Sequence, residues 1–435
     1  MQLTTRLSPC PKIFPKGFQQ VKILFLACAF IFSPDAGFAL EYRTGWAFFD
    51  AFFKENNYLY SQPDAESGTL ITDDTYAILG VYPYIGLDFN EHFSAYFQAG
   101  FDWTHSWEAE DSEDWDADVI GAAMSYASSA FSTDVGVQPF RPGKGLISYG
   151  DEPGISFQFN GWDRAYIKGD VFEVLETSPM AMLTLGYRPG FLETVEVFGA
   201  GFHDADDGMA DLFTPFSDDV DITTTGNLFW AGAAADVFIG KAYVSGMWIQ
   251  QFGAVDMDRP AVSDELEVSA FLMDMEISYP LLQAVSASVF LFAASGDSQP
   301  LDDHLTAFVS PMPFNDRTAI FFNGGFARYD VEERVTLGGV TWNGVVAPGV
   351  GLDYQPYPEI VTNLTVALLF PENDSFSRED WYGWETDARV AYEFYPNQKV
   401  FFEAGILSHG NYWKERVGYR PDPSTRLVAG LDLFF

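Results

Sequence analysis

From His92 to His105 the chain reads HFSAYFQAGFDWTH. Phe93, Ala95, Phe97, Ala99, Phe101 and Trp103 share one parity, and Ser94, Tyr96, Gln98, Gly100, Asp102 and Thr104 the other. Successive side chains of a β-strand point to opposite faces, so this stretch sets one face in an apolar medium and the other in a polar one. Residues 385–394 divide the same way, Thr386, Ala388, Val390, Tyr392 and Phe394 standing against Asp387, Arg389, Ala391 and Glu393. So does the end of the chain, where Leu427, Ala429, Leu431, Leu433 and Phe435 oppose Val428, Gly430, Asp432 and Phe434. Nothing beyond residue 40 supplies the run of about eighteen apolar residues that a membrane-spanning helix needs.

A soluble sandwich alternates too, and the connections separate the two cases. Tight turns fall at 89–92, 127–130, 188–192, 238–241, 279–283, 355–359 and 395–398. Longer polar loops lie near 55–73, 108–114, 143–152, 204–225, 254–263, 297–336, 372–383 and 412–423. Short turns at one end and long loops at the other mark a transmembrane antiparallel β-barrel, with the turns periplasmic and the loops extracellular. Aromatic residues make up 17% of the chain, which suits rings seated at membrane–water interfaces. Candidate strands at 43–54, 75–89, 92–105, 116–127, 130–141, 153–161, 164–175, 180–188, 193–203, 226–238, 241–253, 265–279, 283–295, 338–355, 359–370, 384–395, 398–411 and 424–435 predict eighteen, or sixteen if 153–175 holds one strand. A barrel of that size encloses water. Region 297–336 reads equally as a constriction folded inward, as an external loop, or as a strand pair.

The first residues are a targeting segment. Arg6, Lys12, Lys16 and Lys22 precede an apolar run of ten, Ile23 to Phe32, and Gly37-Phe38-Ala39 supplies small residues for cleavage. This predicts a signal peptide over 1–39 and a barrel over 40–435. Both cysteines, Cys10 and Cys28, fall in that leader. No disulfide scaffold or thiolate metal site is therefore expected.

The alternating apolar ending that closes on Phe435 resembles the C-terminal assembly signal of bacterial outer-membrane β-barrel proteins. That likeness implies outer-membrane lipid, lipopolysaccharide and the barrel-assembly machinery as partners, and a homo-oligomer is open. Residues 136–146, Gly136-Val137-Gln138 followed by Gly143-Lys144-Gly145, resemble a strand ending and turn of porin-like and alginate-export-type barrels.

With 62 acidic and 23 basic side chains the net charge is -39, which argues against nucleic acid as a partner. Much of the acid sits in loops: 108–114, then 204–207 with Asp218, Asp219 and Asp221, and Glu379, Asp380 and Glu385. Such carboxylates could gather Ca²⁺ or Mg²⁺, although the spacing at 204–208 is not an EF-hand and a solvated acidic loop explains it as well. By parity Asp88, Asp102, Asp134, Asp236, Asp353, Asp387, Glu393, Glu403 and Asp432 face the lumen, with Arg389 as the one clear base. A lumen of one sign favours cations or neutral polar solutes. Arg141, Lys144, Arg164 and Lys168 cluster in sequence and are candidates for a basic constriction. The five histidines (His92, His105, His203, His304, His409) lie in no Gly-x-Ser-x-Gly or His-Glu-x-x-His motif, so no enzyme and no cofactor are expected. The expected function is passive diffusion of small polar solutes through an acidic, water-filled channel. The alternatives are an acidic-polysaccharide exporter, which calls for a basic lumen, and a non-conducting surface barrel.

Overall fold

The computed structural model describes residues 41–59, 71–107, 113–174, 178–189, 192–204, 223–258, 265–299, 303–311, 315–322, 343–373, 381–417 and 419–435. The acidic runs 108–112 and 205–222, Glu379 and Asp380, and the leader lie outside them. The strands are β1 (Glu41–Leu59), β2 (Ile71–Asp88), β3 (Phe93–Ser106), β4 (Glu113–Ala127), β5 (Phe131–Phe140), β6 (Gly150–Trp162), β7 (Ala165–Val174), β8 (Ser178–Tyr187), β9 (Leu192–Asp204), β10 (Thr223–Ile239), β11 (Ala242–Asp258), β12 (Glu265–Leu282), β13 (Val285–Ala294), β14 (His304–Leu305), β15 (Val345–Tyr357), β16 (Ile360–Leu369), β17 (Gly383–Tyr395), β18 (Gln398–His409) and β19 (Ser424–Phe434). Apart from β14, each strand pairs antiparallel with its neighbours in the chain, and β1 pairs with β19. Eighteen strands thus close a wall with no free edge, the condition for lying in lipid. Stretch 153–175 is two strands, β6 and β7.

The alternation shows on β8. Pro179, Ala181, Leu183, Leu185 and Tyr187 are exposed on the outside, while Ser178, Met180, Thr184 and Gly186 are buried inside. Exposed rings ring the outer surface, Trp46, Tyr187, Tyr279 and Tyr392 toward the short turns and Trp107 and Trp115 toward the loops, where an aromatic girdle belongs. The seam is held to its last residue: Phe435 N–H donates to Trp46 O at 2.8 Å and Trp46 N–H to Phe435 O at 3.2 Å. The turns are tight because their residues accept special backbone angles or cap themselves. Asn397 has φ 62° and Gly240 φ 66°, and Asn90 Oδ1 accepts from the N–H groups of His92 and Phe93.

The inside differs from a plain water-filled tube. Inward positions over much of the wall from β7 to β16 are apolar and buried, among them Phe172, Met180, Phe202, Trp230, Ile249 and Phe292. What covers them is chain. Residues 142–148, between β5 and β6, and residues 303–311 and 315–322, between β13 and β15, bring Ile147, Phe308, Ile320, Phe321 and Phe322 into the same core. A short helix α1 (Asn411–Val417) adds Tyr412 and Trp413. Burying a side chain of this size is worth about 2–3 kcal/mol, so several together hold these segments inside. Of the three readings of 297–336, its described residues match the inward one.

Candidate functional site

The inward segments meet the wall and each other through a few polar ties. In the first, Gly143 (φ 59°) and Lys144 (φ 56°) take successive left-handed conformations. That coil presents Lys144 Nζ to Asp236 Oδ1 at 3.0 Å and to Ser245 Oγ at 3.2 Å, on β10 and β11. Further along, β14 runs parallel to β12 beyond the end of β13. The chain then crosses to β11, where Gln251 Nε2 donates to Val309 O and Val309 N–H donates to Gln251 Oε1, both at 2.9 Å. Ser310 Oγ donates to Leu146 O at 2.6 Å, which joins the two inward segments.

Residues 315–322 form a strap along the wall from β12 to β19. At one end Arg317 takes Asp274 through Nη2 at 2.8 Å and Nε at 3.1 Å, pairs with Glu276, and lies over the Phe290 ring at 5.1 Å. At the other end the strap is gripped by its backbone. Ile320 and Phe321 N–H donate to the two oxygens of Glu385 at 2.6 and 2.9 Å, and Ala319 N–H donates to Asp387 Oδ2 at 3.2 Å. Arg426 Nη1 donates to Ala319 O at 2.7 Å and Arg389 Nη1 to Asp316 O at 3.4 Å. Gly405 on β18 makes the room, since a Cβ there would lie 2.7 Å from Asp387 Oδ1 and 3.2 Å from Ile320.

Behind the strap the charges alternate across four neighbouring strands. Glu55 on β1 meets Arg426 on β19 at 3.2 Å, Arg426 approaches Glu403 on β18 at 3.9 Å, and Glu403 meets Arg389 on β17 at 3.1 Å. Glu55, Arg426 and Glu403 are almost fully buried. Charges so far from water persist only when paired and hydrogen-bonded. Asp387, Arg389 and Glu403, read from parity as lumen residues, therefore stand on the inner wall but are sealed by the strap or by each other. Glu385, read with the acidic loops, belongs to this wall as well.

Arg389 is joined by more bases than parity counted: Arg426, Lys168 and Lys399 also take inward positions. Arg426 could have been found. It lies within the candidate strand 424–435, one step before Leu427 and on the parity of Val428.

The opposite stretch of wall is different. Asp102 and Asp116 are direct cross-strand partners on β3 and β4, and Asp118 pairs with Gly100 just below. Glu152 stands on the inward parity of β6 opposite Gln138, and Asp134 opposite Ser156. Tyr82 Oη donates to Asp102. Among the described residues none of Asp102, Asp116, Asp118, Asp134 and Glu152 forms an ion pair, and Asp116 and Asp118 are exposed.

The remaining candidates scatter. Asp353 accepts from Asn363 Nδ2 at 2.8 Å on β15 and β16. Asp88 pairs with Arg43 at 3.0 Å, Asp432 with Lys399 at 3.1 Å, and Glu393 accepts from Asn397 N–H at 2.7 Å, all near the short turns. The four bases that cluster in sequence do not form one ring. Arg141 lies over the Tyr149 ring at 4.5 Å and Lys168 pairs with Asp170 at 3.1 Å, whereas Arg164 sits exposed in the turn between β6 and β7.

Solved structures share this architecture. OccK5 (OpdH) of Pseudomonas aeruginosa superposes with a TM-score of 0.51 at 11% identity, covering 90% of this chain and 98% of that one. OpdK of the same organism gives 0.52 at 12% identity, over 91% and 99%, and OccK9 (OpdG) gives 0.56 at 11% identity, over 91% and 98%. No protein-family model matches the chain, and no curated protein matches its sequence. At such identities the likeness is one of fold. The fold is the closed antiparallel barrel of porin-like proteins, an architecture of the bacterial outer membrane.

Proposed function

We propose that the chain is an outer-membrane channel through which small polar solutes, cationic or neutral, diffuse passively along the inner wall of β3–β6. The observation that carries this reading is the division of the inner wall. The two inward segments cover the side from β7 to β1, and the carboxylates there are tied to arginines or to backbone N–H groups. On β3, β4 and β6 Asp102, Asp116, Asp118 and Glu152 form no ion pair among the described residues, Asp116 and Asp118 accepting only from the adjacent backbone N–H groups, and they are left to set the field of the passage. Uncompensated charge in a narrow, low-dielectric channel concentrates the opposite ion.

Lys144 and Arg317, the bases that reach in on the inward segments, each face a carboxylate. This weighs against an exporter of acidic polysaccharide. A second reading, an anionic solute, has one support: OpdK has been crystallised with vanillate, an aromatic carboxylate. Single-channel recording in planar bilayers under a KCl gradient separates the readings. A cation-selective reversal potential is expected. Anion selectivity would favour the second reading, and no conductance at all would leave a structural barrel.

A further inference from the structure

We propose that Arg426 positions the 315–322 strap and through it sets the width of the constriction. The first half stands on the geometry of the strap; the second rests on the channel reading above.

The strap is not a strand of the sheet, yet its backbone is paired at both polarities. Its amides at 319, 320 and 321 meet carboxylates, and its carbonyls at 316 and 319 meet guanidinium groups. Side chains of β17 and β19 thus take the place of a neighbouring strand. Arg317 grips from the strap itself, with its own side chain, so it travels with the strap. Arg426 grips from the wall and holds the strap by its backbone, 107 residues away in sequence. Its guanidinium spans several groups: Nη1 donates to Ala319 O, and Nε lies 3.2 Å from Glu55 on the far side of the closing seam and 3.9 Å from Glu403 behind, with the Phe53 ring 5.7 Å away. A guanidinium suits this role because its donors are fixed in one plane, whereas an ammonium is a point charge on a flexible stem. Glu55 belongs to β1 and Arg426 to β19, so the fork is aimed only once these strands have paired. Docking of the strap follows closure of the barrel.

The test uses a thiol reporter in the strap. Ala319 is fully buried and its ties run through its backbone, so Ala319→Cys keeps them. Cys10 and Cys28 lie ahead of β1, and labelling is read on the peptide that carries position 319. In the reconstituted barrel the reporter should react slowly with a membrane-impermeant maleimide. Adding Glu55→Gln and Arg426→Gln together removes one charge of each sign and leaves no bare buried ion. The labelling rate should then rise about tenfold, the factor expected when a charge-assisted hydrogen bond is lost, and single-channel conductance should increase. Should that variant not fold, Arg426→Lys keeps the charge and removes the fork, and should give the same changes at smaller size. Unchanged labelling in a folded variant would overturn the positioning role. Faster labelling with unchanged conductance would overturn the claim that the strap sets the constriction. If the parent barrel does not conduct, the channel reading falls, and labelling alone still decides whether Arg426 holds the strap.

Discussion

The two sides of the inner wall carry the same kind of residue and use it differently. On β17, β18, β19 and β1 the carboxylates Glu385, Asp387, Glu403 and Glu55 are buried, each held by an arginine or by strap amides. On β3, β4 and β6 the carboxylates Asp102, Asp116, Asp118 and Glu152 keep contact with the lumen and form no ion pair among the described residues. One side spends its charge on holding a segment of chain, and the other leaves it to act on whatever enters. A count of inward acids therefore overstates the field of the lumen. What matters is which acids the inward segments reach.

The sealed wall is also the closing seam, and the largest effect should come from its end. Deleting Phe435 removes both backbone bonds to Trp46 and should sharply lower the amount of heat-resistant barrel in outer-membrane fractions, because an unpaired edge cannot rest in lipid. Wild-type amounts would show that closure does not depend on this residue. Next, Glu403→Gln should destabilise the barrel by about 3–5 kcal/mol, since it strips the shared carboxylate from Arg389 and Arg426. Asp102→Asn on the open wall should leave the heat-modification midpoint near that of the parent. Equal midpoints for the two variants would erase the distinction.

Selectivity should invert that order. Replacing Asp102, Asp116 and Glu152 together by their amides should move the reversal potential under a KCl gradient toward zero, and the parent's cation preference should itself fade as salt shortens the Debye length from about 8 Å. Asp387→Asn should leave the potential almost unmoved, because that carboxylate lies under the strap. A larger shift from Asp387→Asn than from the triple would place the passage on the wrong wall. A smaller step is expected at Asp236. Its amide releases Lys144 from its 3.0 Å ion pair and should weaken the cation preference by part of what the triple does, while Lys144→Gln should strengthen it. Smallest of all is the rim pair Arg43–Asp88, which is well exposed. Its loss should change stability by about 1 kcal/mol or less.

The wall was legible in the residues themselves. A period of two survives any tertiary arrangement, because it is a property of the extended backbone, and the short and long connections order the strands and orient the barrel. The even count and the seam at Phe435 follow from those two signals, whereas the two strands of 153–175 were one of two open readings that the structure decided. The inward parities of Asp102, Asp387 and Glu403 follow too. Their roles do not. Whether a lumen carboxylate is free or sealed depends on segments that return from far along the chain: Ser310 to Leu146, Ala319 to Arg426, Glu55 to Arg426. Neither strap nor coil has a periodicity of its own, and Coulomb and hydrogen-bond energies act over a few ångströms of space rather than along the sequence. The residues alone determined a closed wall of eighteen or sixteen strands with acids facing inward, and the tertiary structure decided that count and which of those acids meet a partner.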